Sequence, residues 1–274
     1  MAERERDKAY CYIDTEFNGQ DFKNQNKGFQ DVVQIGAVMV RGGSVLDTFS
    51  TYIHLPKGVH ASKRLEALTG INSYTLRDAP SFERAMKDFV AFVNGYEPVK
   101  VYSYGSEDRK RLEETMRHCK LGSQEVDECI KRVTDVMPFI DELLGRKESH
   151  GQLSMAELCE ICYVDPVDAH DAFQDAKFLG QCVENLKKGK FSKKKYSRIV
   201  EEKKYRINYF NKRRIRMPLK EGETALTADE ASAVINLITR AQKTGKYRDF
   251  ELDALRDDIL TLAGFGALYG QENK

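Results

Sequence analysis

Short apolar runs and helically spaced apolar residues follow one another along most of the chain. Five short runs, which are apolar or in the case of 32–40 also β-branched, predict strands at 9–14, 32–40, 45–55, 99–104 and 133–136. Gly42-Gly43 supplies a tight turn between the second and third runs, so the first three strands are expected to form an antiparallel meander. The polar residues between 17 and 30 indicate a loop.

Apolar positions at helical spacing predict helices around these strands. They cover 62–69, 81–94, 108–119, a segment after the fifth strand through 144, 154–162 and 169–186. Ser81 is a suitable N-cap, and Gly70 ends the first helix. A meander followed by alternating strands and helices predicts an α/β fold, in which helices flank a mixed five-stranded sheet.

The composition changes after residue 186. Residues 187–220 contain 15 Lys or Arg and 2 acidic residues, a local charge of +13 in a chain of net charge +1, so the remainder carries −12. This asymmetry is typical of a segment that faces nucleic acid, and a solvated charged helix is the alternative. The predicted parts are a main domain at 1–186, a basic helical or linker segment at 187–222, and a small helical C-terminal extension at 223–274.

The apolar content of the chain and its cysteines favour a cytoplasmic protein. It contains no apolar run of about 18 residues, and its first eight residues lack the apolar stretch of a secretion signal. Six cysteines in 274 residues do not indicate a disulfide framework. Cys159 and Cys162 form a lone Cys-x-x-Cys pair, which favours helix core residues over a zinc site that needs four ligands.

Four acidic residues and one histidine supply the candidate chemistry. Asp14 and Glu16 follow the first strand and share a face, because the strand period is two. Asp108 begins a helix, while His170 and Asp175 lie within about one and a half turns of another. Buried carboxylates require a cation, and hard divalent ions take oxygen ligands. A phosphodiesterase with two Mg²⁺ or Mn²⁺ ions is therefore expected.

These segments resemble the three-motif signature of the DEDD exonucleases, in the histidine-containing, DnaQ-like branch of the ribonuclease H-like superfamily. The motifs are Asp14-Thr15-Glu16, Ser103-Tyr104-Gly105 leading to Asp108, and His170 followed by Asp175-Ala176. The second motif and Leu68-Thr69-Gly70-Ile71 resemble Eri-type and KapD-type members, which often have Trp where this chain has Tyr104. The resemblance covers about residues 8–186 and implies a ribonuclease H-like fold.

The resemblance implies a 3′–5′ exonuclease that releases nucleoside 5′-monophosphates from the 3′ ends of single-stranded RNA or DNA. It makes Asp14, Glu16 and Asp175 inner metal ligands, with Asp14 bridging, and Asp108 an outer one. His170 is the implied general base, a role that suits imidazole because its unperturbed pKa lies nearest neutrality.

Some assignments have alternatives. Glu107 competes with Asp108, and Asp171 competes with Asp175; the motif spacing favours Asp108, and the helical position favours Asp175. Asp108 is also suited to stabilising a helix N-terminus. Phe17 is either a stacking surface for the terminal base or a core aromatic.

Ser103 and Tyr104 are either substrate-channel residues or part of a buried strand end. Two other functions also fit the sequence. One is a proofreading or repair exonuclease that works beside a polymerase, and the other is a binding module without turnover. The basic residues 187–220 and their interleaved aromatic residues suit contact with RNA or DNA.

Overall fold

Five strands form one mixed sheet in the computed structural model, which describes residues 8–19, 30–96, 99–145, 152–167, 170–201, 203 and 235–236. The strands are β1 Ala9–Phe17, β2 Val32–Arg41, β3 Ser44–Tyr52, β4 Val99–Ser103 and β5 Val133–Asp135. Their order is β3-β2-β1-β4-β5. The pairs β1–β2 and β2–β3 are antiparallel, while β1–β4 and β4–β5 are parallel. The predicted fold class and the meander are confirmed.

Helices flank this sheet. Among the described residues they are α1 Lys63–Thr69, α2 Ser73–Leu76, α3 Phe82–Asn94, α4 Glu107–His118, α5 Gln124–Lys131, α6 Met137–Leu143, α7 Met155–Cys162 and α8 Ala172–Lys187. Residues 193–201 are helical as well. The short helices α2 and α5 are additions to the predicted set. No helix in the described parts of the chain combines the length and apolar character needed to cross a membrane.

Hydrogen-bonded caps set the ends of the predicted helices. The Ser62 hydroxyl accepts a hydrogen bond from the Leu65 N–H at the start of α1, and Gly70 ends that helix with a φ of 75°. The Ser81 hydroxyl accepts from the Arg84 N–H at the start of α3, as predicted. These caps satisfy backbone groups that a helix end leaves without partners.

The two faces of β1 have different neighbours. Cys11 and Ile13 belong to the core cluster that includes the buried face of α3, where Met86 and Phe89 lie. Tyr12 lies on the opposite face, close to Gly180 of α8. Because side chains alternate along a strand, later residues of β1 at even positions also face α8.

One predicted boundary is wrong. The sequence predicted a helix from residue 169 that contained both His170 and Asp175, but α8 begins at Ala172. Asp171 is its N-cap and accepts a hydrogen bond from the Gln174 N–H. His170 precedes the cap with a φ of 73°. A capping aspartate has a non-helical backbone, so the residue before it cannot belong to the helix.

The chain divides into two compact units. One comprises Met1–Lys147 and Leu153–Ser192, and the other comprises Glu148–Gln152 and Lys193–Lys274. All five strands and α1–α8 belong to the first unit. Apart from residues 235–236, the predicted C-terminal helical extension lies outside the described residues, as does more than half of the basic segment. The division at residues 186 and 222 stays a prediction.

Candidate active site

Three carboxylates meet where the end of β1 approaches the first turn of α8. Asp14 and Glu16 flank Thr15 on β1, and Asp175 is in the first turn of α8. Their ligand oxygens all lie within 4.8 Å of one another. The three residues that were predicted as inner metal ligands are thus brought together, although they are 161 positions apart at most in a chain of 274.

Burial and like charge dominate this cluster. Burial is the largest cause that raises the pKa of Asp14 well above its ordinary range, followed by the charges of Asp108, Asp175 and Glu16. Burial and the neighbouring carboxylates raise the pKa of Glu16 to about 8. Burial also raises the pKa of Asp175, against the hydrogen bond from the His170 N–H. A hard divalent cation relieves this repulsion, so the donor set fits such an ion.

Asp108 reaches the same region through Thr15. It lies in the first turn of α4, and only 6% of its surface is exposed. Its Oδ1 accepts hydrogen bonds from the Thr15 N–H at 2.9 Å and the Thr15 hydroxyl at 2.8 Å. Burial raises the pKa of Asp108 to about 6, and the Thr15 bonds oppose that rise. Glu107, by contrast, is exposed and pairs with Arg111.

His170 and Asp171 have separate positions beside the cluster. His170 is exposed, and its backbone N–H lies 3.3 Å from Oδ2 of Asp175. Asp171 caps α8 and accepts a second hydrogen bond, at 2.8 Å, from the Gln34 side chain. Asp175 therefore belongs to the carboxylate cluster, and Asp171 serves the helix end.

A pocket of about 220 Å³ opens beside Glu16. Its lining consists of Glu16, Phe17, Gly19, Gln30, Arg64, Leu65, Leu68 and Thr69. The Phe17 ring is half-buried, and the Arg111 guanidinium carbon lies 5.2 Å from its centroid. Leu68 leaves 51% of its surface exposed. Apolar side chains and the cation of Arg64 thus lie beside Glu16, one member of the carboxylate cluster.

Ser103 and Tyr104 both bond to the protein backbone. The Ser103 hydroxyl donates to the Gly105 carbonyl at 2.9 Å from a buried position. The Tyr104 hydroxyl donates to the Leu153 carbonyl. These bonds fix the strand end after β4, and contact with substrate stays a prediction for both residues.

Sequence reasoning missed Thr15, Gln34 and Gly36 as residues that build the site. The available signal was the polar Gln34 and the small Gly36 inside the apolar run of β2. A polar side chain in a buried strand needs hydrogen-bond partners, and a glycine there points to a close backbone approach. Both features occur here, because Gln34 is hydrogen-bonded to Asp171 and Gly36 lies against the backbone at the start of α8.

The cysteine pair occupies the core, as predicted. Cys159 and Cys162 lie on α7 and are fully buried. The Cys159 sulfur is 3.8 Å from that of Cys182 on α8. Within the described ranges, the three-carboxylate group is the only cluster of metal-binding side chains.

Comparison with known families gives a match over most of this unit. The family described as exonuclease, RNase_T, matches residues 11–182, which is more than half of the chain. The chain is 31% identical over 87 residues to DNA polymerase III subunit epsilon of Aquifex aeolicus (strain VF5), covering 32% of this chain and 40% of that protein. It is 32% identical over 65 residues to the PolC-type DNA polymerase III of Caldanaerobacter subterraneus subsp. tengcongensis, covering 24% of this chain and 4% of that protein. Less than half of either relative is therefore spanned.

Solved structures share the fold at low identity. The nuclease domain of 3′hExo, a DEDDh family member bound to rAMP, aligns with a TM-score of 0.55 and 18% identity, covering 66% of this chain and 93% of that one. A 3′-exonuclease described in 3′-end-specific recognition of a histone mRNA stem-loop gives a TM-score of 0.58 at 18% identity, covering 68% and 66%. E. coli exonuclease I with a dT13 oligonucleotide aligns with a TM-score of 0.52 at 12% identity, covering 67% of this chain and 41% of that one.

Proposed function

Because the chain belongs to the DnaQ-like branch of the DEDD exonuclease family, we propose that it removes nucleoside 5′-monophosphates from the 3′ ends of single-stranded RNA or DNA. Family membership confirms the predicted enzyme class, an exonuclease. The observation that supports the proposal best is the convergence of Asp14, Glu16 and Asp175 beside a pocket with an apolar wall. No other cluster of this kind occurs among the residues that the structure describes.

Two Mg²⁺ or Mn²⁺ ions are the proposed cofactors. Asp14, Glu16 and Asp175 would hold them, and Asp108 would assist as an outer carboxylate. When bound, the ions stabilise charge on the attacking and leaving oxygens of a phosphodiester displacement. Burial, followed by the repulsion of neighbouring carboxylates, raises the carboxyl pKa values of Asp14 and Glu16, and a bound cation would offset both, which supports cation binding at this place.

His170 is the proposed general base. Its side chain is exposed, and its backbone N–H is hydrogen-bonded to Asp175. This places the histidine beside the carboxylate cluster and leaves the ring in reach of solvent. Imidazole accepts a proton near neutral pH, so His170 would take the proton of the attacking water.

The pocket beside Glu16 is proposed to receive the terminal nucleoside. Phe17 and Leu68 offer apolar surfaces to a base, and stacking on an aromatic ring such as that of Phe17 tolerates every base. Arg64 supplies a cation for a phosphate oxygen. Within this arrangement the chain positions the scissile bond, and orientation of this kind is a large part of phosphoryl-transfer catalysis.

A polymerase-associated proofreading or repair role is the second candidate. It is favoured by the similarity to DNA polymerase III subunit epsilon. A binding module without turnover is a further alternative, but all five motif residues are present, which argues against it. Processing of RNA is equally compatible with the site, since a structure with rAMP and one with dT13 both share the fold.

Matched single-stranded RNA and DNA oligonucleotides, labelled at the 5′ end, test the proposal. With Mg²⁺ the wild-type protein should shorten them stepwise from the 3′ end and release 5′-monophosphates. Asp14→Ala and Asp175→Asn should abolish this activity while the circular dichroism spectrum is retained. An internal cleavage pattern, or full activity of either variant, would rule out the assigned reaction.

The two adjacent acids of the second motif provide a matched pair. Asp108→Asn should reduce turnover strongly, whereas Glu107→Gln, which alters an exposed and ion-paired side chain, should leave it near the wild-type rate. Equal losses in the two variants would contradict the role given to Asp108. Co-purification with a polymerase would instead favour the second candidate.

A further inference from the structure

Gln34 is a buried amide of β2 that uses both ends of its side chain at the start of α8. Only 2% of its surface is exposed. Its Nε2 donates to Oδ2 of Asp171 at 2.8 Å, and its Oε1 accepts from the Ala172 N–H at 3.3 Å. One side chain of the sheet is thus bonded to two consecutive residues, 137 and 138 positions later in the chain.

The residue that Gln34 contacts organises the turn that carries the site. Asp171 accepts from the Gln174 N–H through its Oδ1, and its carbonyl accepts from the Asp175 N–H at 2.9 Å. On the other side, the His170 N–H donates to Asp175 Oδ2. His170, Asp171 and Asp175 therefore form one hydrogen-bonded turn, and its attachment to the sheet runs through Gln34.

The register of β2 links this attachment to the other two carboxylates. Glu16 pairs with Gln34, and Asp14 pairs with Gly36. A Cβ at Gly36 would clash with the backbone of Ala172 and the following residue, so the start of α8 rests directly on β2. The same short stretch of β2 borders Asp14 and Glu16 and holds the helix that presents the third carboxylate.

We infer that Gln34 is a positioning residue for this site, which sets the place of Asp175 and His170 relative to Asp14 and Glu16 through its bonds to Asp171 and Ala172. The inference rests on the proposed function. Gln34 is not a member of the carboxylate cluster, and its side-chain bonds to Asp171 and Ala172 make it act through the N-cap of α8. Residues that orient ligands in this way typically contribute 10- to 100-fold to metal affinity or activity.

Exchanging the amide and the carboxylate of the hydrogen-bonded pair Gln34 and Asp171 tests the inference. Gln34→Glu places a second carboxylate against Asp171, so repulsion replaces the bond, and Mn²⁺ affinity and kcat should each fall by about tenfold or more. Asp171→Asn alone should cause a smaller loss. The double variant Gln34→Glu/Asp171→Asn again pairs one amide with one carboxylate and should recover most of the affinity and kcat.

Mn²⁺ binding is measured by isothermal titration or by the free-ion signal in electron paramagnetic resonance, both without substrate. Gln124→Glu is the matched control, because Gln124 makes a comparable side-chain bond to Glu128 on an exposed helix. It should leave Mn²⁺ affinity and kcat unchanged. A residue needed only for stability would lower the melting temperature in Gln34→Glu without altering Mn²⁺ affinity in the folded protein.

Two results would overturn the inference. One is wild-type Mn²⁺ affinity and kcat in folded Gln34→Glu, and the other is a double variant no better than the single ones. If Gln34→Glu does not fold, Gln34→Met, which removes the bonds without adding charge, takes its place, and wild-type Mn²⁺ affinity in that variant would equally overturn it. Failure of the wild-type protein to bind Mn²⁺ or cleave any 3′ end would instead remove the proposed function.

Discussion

Thr15 donates two hydrogen bonds to a single oxygen of Asp108, one from its backbone N–H and one from its hydroxyl. The two residues are 93 positions apart in the chain. Thr15 stands between Asp14 and Glu16, and its side chain points to the opposite face of β1 because the strand period is two. β1 therefore presents the carboxylates of Asp14 and Glu16 to α8 and also fixes the orientation of the Asp108 carboxylate on α4.

Replacement of Thr15 by Val should destabilise the protein and disturb Asp108. Valine keeps the shape of the side chain but removes the hydroxyl bond, while the backbone bond remains. A lost hydrogen bond to a charged group costs about 1.5–3 kcal/mol in free energy of unfolding, and the pKa of Asp108 should rise further above about 6. Urea unfolding of the metal-free protein measures the first effect.

Two variants serve as controls for this change. Thr15→Ser retains a hydroxyl and should recover most of the loss. Thr48→Val makes the same replacement at an exposed position of β3 and should change the free energy of unfolding by about 0.5 kcal/mol or less. A Thr15→Val protein as stable as the wild type would show that the hydroxyl bond contributes nothing.

The metal-free protein should lose stability as the pH rises. The pKa of Glu16 is about 8 in the folded chain and about 4.5 ordinarily, so between these values the folded state binds more protons than the unfolded state. The free energy of unfolding then falls with pH across that interval and is highest below it. Urea unfolding in EDTA at about pH 5 and about pH 8 measures the difference.

Glu16→Gln and added Mg²⁺ separate the causes of this pH dependence. Glu16→Gln should make the slope shallower, because the amide does not titrate, while the raised pKa values of Asp14, Asp108 and Asp175 keep part of it. Mg²⁺ binds the deprotonated carboxylates, so it should stabilise the protein more at the higher pH, by about 2.7 kcal/mol when its concentration is 100 times the Kd. Stability that increases from the lower to the higher pH in EDTA would contradict the assigned direction of the pKa shift.

Replacement of Phe17 by Ala should weaken substrate binding. The ring lines the pocket beside Glu16 and is held against Arg111, so it is placed to stack on a base. Base stacking contributes about 1–3 kcal/mol, which corresponds to a KM increase of roughly 5- to 150-fold. Initial rates over a range of oligonucleotide concentrations give KM and kcat separately.

Tyr74→Ala provides the comparison for Phe17→Ala. Tyr74 is 74% exposed and lies against Arg77, but it does not line the pocket. Its replacement should leave KM near the wild-type value. If Phe17→Ala also retains the wild-type KM, Phe17 is a structural aromatic and the stacking role is wrong.

Neutralising the start of the basic segment should reduce the salt dependence of binding. Lys190, Lys193 and Lys194 are exposed, and their joint replacement by Gln removes three charges from the full-length chain. Each lost phosphate contact with a single strand lowers the slope of log K against log salt by about 0.7. Binding of a single strand by the Asp14→Ala variant at several salt concentrations measures this slope. The joint replacement of Lys57, Lys100 and Lys120 by Gln, which removes three exposed charges that do not line the pocket, serves as the control. An unchanged slope would exclude nucleic-acid contact by these three lysines.

The sequence predicted which carboxylates lie close together better than it predicted how they are held in place. Asp14 and Glu16 were assigned to one face because strand periodicity is local, and the position of Asp108 followed from the start of α4. His170 was placed inside α8 because the apolar spacing after it is helical. The capping of α8 by Asp171 involves Gln34, which no local pattern connects to it.

Local patterns also failed for the smallest elements. α2 has only four residues, and just Gly70 and Ile71 separate its N-cap Asn72 from the last residue of α1. α5 is eight residues long and mostly polar in sequence, so it resembles a loop until Val126 and Ile130 are seen to be buried. Both elements are stabilised by packing that a single sequence does not display.

Gly36 lies directly against the backbone at the start of α8, so this position does not tolerate a larger side chain. A contact between two backbone segments cannot adjust by a change of side-chain rotamer. The distance between β2 and the start of α8 is therefore fixed when the helix packs on the strand, and with it the spacing of the carboxylates that the two elements carry or border. The exposed pocket wall at Leu68 and Arg64 has no such restriction. Under the proposed function, substitutions at Leu68 and Arg64 would therefore alter the preference for RNA or DNA while the spacing of Asp14, Glu16 and Asp175 stays the same.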